Sequence, residues 1–108
     1  MPTVPTDHHA YFGGKRVLVT GGSGFLGRAV VAQLDAAGVG AVIVPRSAET
    51  DLRDRSATAE LFARTRPDTV IHLAARVGGI GYNQVHPAEL YLDNLLMGTF
   101  VLDSARKH

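Results

Sequence analysis

Two kinds of apolar spacing alternate along this chain. Short unbroken runs, V-L-V at 17–19, A-V-I-V at 41–44 and T-V-I-H-L at 69–73, are too brief for helices and rich in β-branched residues. Such runs read as strands buried on both faces, the signature of a parallel sheet. Between them, core-facing positions recur every three or four residues: Leu26, Val30 and Leu34; then Leu61, Phe62 and Thr65; then Tyr91, Asn94, Leu95, Gly98, Val101, Leu102 and Ala105. Those spacings predict helices. In order, the pattern predicts a strand over 16–20, a helix over 25–37 stopped by Gly38 and Gly40, and a strand over 41–44 ended by Pro45. A very short strand at 51–54, a helix over 56–65 ended by Pro67, a strand over 69–73 and a helix opening at Pro87 follow. Strands alternating with helices make an α/β fold: a doubly wound, Rossmann-type parallel sheet with strand order 3-2-1-4 and right-handed crossovers.

The sharpest chemistry lies between the first strand and the first helix. Gly21, Gly24 and Gly27 form a G-x-x-G-x-x-G there. With 12 glycines in the chain, a bare triplet reads as a flexible turn. A strand before it and a helix after it supply the context of a dinucleotide-binding fingerprint. The first glycine allows the tight turn, the middle one lets a pyrophosphate approach the backbone, and the third lets helix pack on strand. Free N–H groups at the helix start then receive the phosphates. A P-loop is excluded, because Gly14-Lys15 is followed by Arg16 rather than Ser or Thr.

Other positions refine this picture. Folds of this kind place a carboxylate for the NAD ribose about 20 residues beyond the glycines. Here Pro45-Arg46-Ser47-Ala48 stands there, with no acid before Glu49. Arg46 and Ser47 suit a 2′-phosphate, which favours NADP(H) over NAD(H); the plainer reading of Arg46 is a solvated loop cation. Ala74 and Ala75 end the strand over 69–73, at the sheet edge where ligands bind, and their small side chains leave room. His72 reads as a sheet histidine. Residues 76–86, with Gly78, Gly79, Gly81 and Asn83, read as a mobile connection or a wall of the site. Asn94 is polar on an apolar stripe, so it braces a neighbouring loop or serves an active site. Gly98 predicts close packing of its helix on the sheet.

Composition narrows the function classes. Hydrophobic residues make up 45% and charged residues 19% of 108, the balance of a small globular domain. A net charge of +1 gives no broad attraction to nucleic acid or anionic membrane. The absence of cysteine excludes disulfides, thiolate metal sites and a cysteine nucleophile, and fits a cytoplasmic location. No apolar run approaches the roughly 18 residues of a membrane span, and the amino terminus lacks the apolar core of a signal peptide. Residues 1–14 read as an extended tail that Tyr11 and Phe12 anchor. Its adjacent His8 and His9 point opposite ways on extended backbone, so no metal site is expected.

Three segments together resemble a known family. T-G-G-S-G-F-L-G at 20–27, H-L-A-A at 72–75 and D-N-x-x-x-G-T at 93–99 resemble the extended short-chain dehydrogenases/reductases, the NAD-dependent epimerase/dehydratase family. The run A-A-R-V-G-G-I-G-Y-N-Q-V-H-P-A at 74–88 is similar to its GDP-L-fucose synthase branch. The resemblance covers 15–108, about the first third of such an enzyme. It implies that Gly21, Gly22, Ser23, Gly24, Phe25, Leu26 and Gly27 bind a pyrophosphate, and that Ser47, Asp51 and Leu52 lie along adenosine. It also implies that Ala74 and Ala75 line the cofactor and that Asn94 lies near the catalytic residues. The parent enzyme it implies is a cytoplasmic homodimer that uses NADP(H) to epimerise and reduce GDP-4-keto-6-deoxy-D-mannose to GDP-L-fucose. One departure is that the family's basic residue falls where Ser47 stands, with the arginine here one position earlier.

A second departure is an absence. Short-chain dehydrogenases/reductases use a Tyr-x-x-x-Lys pair beyond the next strand, where the lysine lowers the tyrosine pKa. Tyr82 and Tyr91 are followed four residues later by His86 and Leu95, and Tyr11 with Lys15 precedes the first strand. The 108 residues are therefore expected to be a Rossmann domain over 15–108, incomplete at its carboxyl end and inactive alone. The alternatives are another nucleotide-sugar epimerase or dehydratase, or a dinucleotide-binding module without catalysis.

Overall fold

A computed structural model describes residues 12–75 and 87–108. The expectations placed on Tyr11, on His8 and His9 and on 76–86 lie outside the described residues. Its organising element is β1 (Arg16–Thr20), whose residues Val17 to Thr20 are wholly inaccessible to water. The cause is a neighbour on every side. β2 (Ala41–Ile43) pairs with it in parallel, Arg16 opposite Ala41 and Leu18 opposite Ile43. β3 (Thr69–His72) pairs in parallel on the other edge, from Val17 opposite Thr69 to Thr20 opposite His72.

Side chains of a strand alternate between faces, and β1 uses the alternation to divide the core in two. Leu18 packs with Leu52, Leu61, Phe62, Met97 and Val101, beneath α2 (Arg55–Thr65) and α3 (Pro87–Lys107). Val17 and Val19 pack with Leu34 beneath α1 (Phe25–Ala36), joined by Phe12, Val30, Val31, Ile71 and Leu73. Helices on both faces of a parallel sheet make the Rossmann-like α/β architecture that the apolar spacing predicts.

The helix ends follow from local chemistry. Asp54 caps α2 by accepting the N–H groups of Ser56 at 2.8 Å and Ala57 at 3.1 Å. Its two buried threonines satisfy their hydroxyls on carbonyls four residues back, Thr58 on Asp54 and Thr65 on Leu61. Arg66, just before Pro67, closes α2 in the left-handed region at φ 45 and donates to the Phe62 carbonyl.

The structure corrects four expectations. The segment 51–54 is a turn and not a third strand, because Asp51 accepts from the N–H of Arg53 and from that of Asp54. The described sheet therefore has three strands, ordered β2-β1-β3. β2 ends at Ile43, before Val44. α3 is rotated from the predicted stripe: Val101 of that stripe is buried, but its buried companions are Leu90, Met97 and Ser104, while Tyr91, Leu95 and Leu102 are 71%, 50% and 73% exposed. Gly98 makes no close packing, since a Cβ there would meet nothing within 4 Å. Among the described residues, no helix is long and apolar enough to cross a membrane.

Candidate functional site

The carboxyl ends of β1 and β3 open onto a groove of about 770 Å³. Its walls come from the glycine turn (Gly21, Ser23, Gly24), the loop after β2 (Pro45 to Arg53) and the segment after β3 (Leu73, Ala74, Ala75), with Met97 of α3 below. Four separate stretches of sequence converge there because β1 is central.

The glycines divide their work in a way that can be read from what a Cβ would touch. Gly21 takes φ +74, and a Cβ there would lie 2.8 Å from Ala74 N and Leu73 C. It therefore provides both the turn and the seat for the chain leaving β3. A Cβ at Gly22 would strike the Val44 side chain at 2.8 Å, so this residue lets the turn close on the chain just past β2. At Gly27 a Cβ would fall on the Gly21 carbonyl oxygen and 2.6 Å from Gly22 Cα, so its absence lets α1 pack on the turn. Gly24 differs. Its backbone is extended, and a Cβ would meet only the Gly21 carbonyl, at 3.4 Å. Protein packing does not require glycine at this position, and the space it leaves faces the groove.

Gly24 is also the cap residue of α1, and no side chain bonds the first N–H groups of that helix. The first turn of α1 contains no acid. α2, by contrast, satisfies its own start through Asp54. An uncapped, acid-free helix start beside a groove is suited to an anion. Arg28 steadies the turn by donating from Nε to the Ser23 carbonyl at 2.9 Å.

The loop after β2 is built by two successive turns. The Arg46 carbonyl accepts from Glu49 N at 2.9 Å and Thr50 N at 2.8 Å. Arg53 then grips Asp51 through Nε and Nη2, each at 3.0 Å, and reaches Asp93 of α3 at 3.5 Å. The hydrogen bonds from Arg53 hold the Asp51 carboxyl below its usual pKa and raise that of the guanidinium. At the far wall, the Thr20 hydroxyl accepts from Leu73 N at 3.1 Å and Ala74 N at 3.2 Å. It also meets His72 Nδ1, and burial lowers the pKa of that imidazole.

The groove collects Gly21, Ser23, Gly24, Ser47, Asp51, Leu52, Ala74 and Ala75 of the residues singled out by sequence. Gly22 and Gly27 stand behind it as packing glycines. Phe25 and Leu26 lie on the first turn of α1, 97% and 60% exposed, and Arg46 is exposed on the loop; none of the three lines the groove. Asn94 is half-buried on α3, outside the lining. Sequence reasoning missed Thr50, Arg53 and Met97. The D-L-R-D run carried a signal for Arg53, since aspartate two residues before arginine in a turn favours the pair seen here.

Comparison with known proteins agrees with this architecture. The model of the NAD dependent epimerase/dehydratase family matches residues 17–108. A GDP-L-fucose synthase of Azorhizobium caulinodans is 38% identical over 92 residues, covering 85% of this chain and 29% of the relative. One from Dictyostelium discoideum is 38% identical over 91 residues, covering 82% and 28%. The chain thus spans under a third of the length of these relatives. Among solved structures, a GDP-L-fucose synthetase from Naegleria fowleri bound to NADP superimposes with a TM-score of 0.72 at 36% identity, covering 83% of this chain and 27% of that one.

Proposed function

The chain belongs to the NAD dependent epimerase/dehydratase family, and we propose that its groove is the cofactor-binding part of an NADP-dependent nucleotide-sugar epimerase/reductase of the GDP-L-fucose synthase kind. The observation that carries this reading is Gly24: a glycine that packing does not require, at an uncapped helix start, facing the groove. The residues present fit the group. Gly21, Ser23 and Gly24, with the N–H groups that open α1, would hold the pyrophosphate. Ser47, Thr50, Asp51 and Leu52 would line the adenosine half, with Arg46 and Ser47 at a 2′-phosphate. Ala74 and Ala75 would lie along the remainder, where small side chains exclude water without filling the space. A nicotinamide dinucleotide supplies a hydride when bound. No Tyr-x-x-x-Lys pair follows β1 in this chain, so the 108 residues hold a dinucleotide without turning it over. In the whole protein, the substrate is a nucleotide sugar, GDP-4-keto-6-deoxy-D-mannose, converted to GDP-L-fucose. The relatives named GDP-L-fucose synthase and the NADP-bound Naegleria protein support this choice of sugar and cofactor.

Calorimetric titration with NADPH and NADH tests the groove, and NADPH oxidation on that GDP sugar tests the reaction of the whole protein. Saturable binding with preference for NADPH is expected. No binding of either dinucleotide would refute the reading. Interconversion of UDP sugars with bound NAD would instead assign the protein to a sister epimerase.

A further inference from the structure

Thr20 is wholly buried at the carboxyl end of β1, and all of its hydrogen-bonding capacity is in use. A hydroxyl has two lone pairs and one proton. The Leu73 and Ala74 N–H groups take the lone pairs, at 3.1 and 3.2 Å. The proton is left for the third partner, Nδ1 of His72, at 2.5 Å. This count assigns Nδ1 the acceptor's part and the ring the neutral tautomer protonated at Nε2. We propose that His72 is a positioning residue for the dinucleotide: its bare Nδ1 orients the Thr20 hydroxyl, which holds Leu73 and Ala74 in the groove wall, so that protonating the ring weakens binding. The proposal rests on the groove being a dinucleotide site.

The coupling follows from counting donors. A doubly protonated ring turns Nδ1 into a donor, and the Thr20 oxygen then faces three N–H groups with two lone pairs. Leu73 has a second acceptor, the Thr20 carbonyl at 3.0 Å. Leu73 can fall back on that carbonyl, so the cost lies in the hydroxyl, whose proton loses its acceptor on the ring and must turn toward a position that an N–H group holds. Ala74 N keeps the hydroxyl as its acceptor and feels that reorientation, and it would lie 2.8 Å from a Cβ at Gly21, so the glycine turn rests on its peptide. The ring has little to offset a positive charge. It borders an apolar cleft in which the titratable neighbours are Asp68 and His108, and Asp68 already accepts from Arg16 N at 2.8 Å. From α3, Gly98, Val101, Leu102 and Ala105 face the cleft and carry no charge. One side of the ring is exposed, and partial desolvation on the other sets its pKa below the ordinary histidine value of about 6.5, so it is neutral at pH 7.5 and the effect grows as pH falls below that value.

The test follows NADP⁺ affinity by calorimetry from pH 8 to pH 5, together with the Ala74 amide and His72 ring signals by NMR. In the unsubstituted protein, affinity is expected to fall roughly three- to tenfold across that range, the scale of one net hydrogen bond. The Ala74 amide should move with the same midpoint as the ring. His72→Asn keeps an acceptor near the Nδ1 position without titrating, so its affinity should stay flat with pH. His72→Leu should bind weakly throughout. An Ala74 amide that ignores the ring titration, or a His72→Asn protein that keeps the original pH dependence, overturns the proposal. Should a variant fail to fold, the titration of the unsubstituted protein still decides. Absence of NADP⁺ binding at every pH, with Ala74 still following His72, would overturn the assignment of the groove and leave the coupling in place.

Discussion

Substituting the middle and last glycines of the turn should separate binding from folding. Gly24 has φ −76 and ψ 178, a conformation open to any residue, and its added Cβ would meet one atom at 3.4 Å. Gly24→Val should therefore fold, with stability within about 1 kcal/mol of the original, since the preference for glycine over an apolar residue at a helix cap is of that size and the stiffer unfolded chain of the variant offsets part of it. The valine methyls would enter the groove where a pyrophosphate meets the backbone. Losing two charge-assisted hydrogen bonds, about 1.5 kcal/mol each at the low end, costs roughly 3 kcal/mol, or at least a hundredfold in affinity. Gly27→Ala should do the reverse. Its Cβ would fall on the Gly21 carbonyl oxygen and within 2.6 Å of Gly22 Cα, backbone that cannot swing away. Overpacking of that kind costs about 1–3 kcal/mol, a large share of the stability of a small domain. Thermal unfolding and NADPH fluorescence titration on the same samples separate the two effects. A Gly24→Val protein that binds NADPH as tightly as the original would refute the assignment of the groove. Normal stability in Gly27→Ala would refute the packing role.

Three further outcomes are expected. Arg46→Ala should narrow the preference for NADP over NAD about tenfold, the equivalent of 1.4 kcal/mol; an unchanged ratio would assign the discrimination to Ser47, which lines the groove. Asp54→Ala removes two hydrogen bonds at the start of α2 and should cost about 1 kcal/mol; urea unfolding with an unshifted midpoint would contradict this. The isolated 108 residues should associate, because Tyr91, Leu92, Leu95 and Leu102 form an exposed apolar face on α3, and should show no NADPH oxidation, because no Tyr-x-x-x-Lys pair follows β1; light scattering that shows a monodisperse monomer with a cooperative melt would argue against the first.

The three observed strands and the end of α2 were legible because each carries its own local signal. The runs at 17–19 and 69–73 had one arrangement that buries them, and the breaker Pro67 stops α2, whereas its cap Asp54 lay hidden in the run read as a strand. The face of α3 was not legible. Tyr91, Leu95 and Leu102 look as apolar in sequence as Leu90 and Met97, and periodicity alone cannot say which of them join Val101 against the sheet. The decision is made by tertiary fit: Met97 and Val101 fill the space between Leu18, Leu61 and Phe62. The turn at 51–54 was misread for a related reason. Leu52 is buried like a strand residue, but it is delivered to the core by a turn that Asp51 and Arg53 close.

The site illustrates how neighbours in sequence separate in space. Arg46 and Arg53 both belong to the loop after β2, and only the second lines the groove. Arg46 spends its carbonyl on the turn with Glu49 and Thr50, which rolls Ser47, Ala48 and Thr50 toward the groove. Arg53 arrives in the groove already engaged by the carboxylates of Asp51 and Asp93. A guanidinium with two acid partners has little charge left for a phosphate, and the Asp51 carboxylate, held ionised by that pair, repels one. The loop is thus polarised: its Asp51 end suits a neutral, hydrogen-bonding base, and its Arg46–Ser47 end suits an anion. On the proposed reading of the groove, that polarity would favour a 2′-phosphorylated dinucleotide entering with its adenine toward Asp51. It also ties two predictions together, since Asp51→Asn would remove the repelling carboxylate, with Arg53 still held by Asp93, and raise affinity for NADP relative to NAD, whereas Arg46→Ala would lower it.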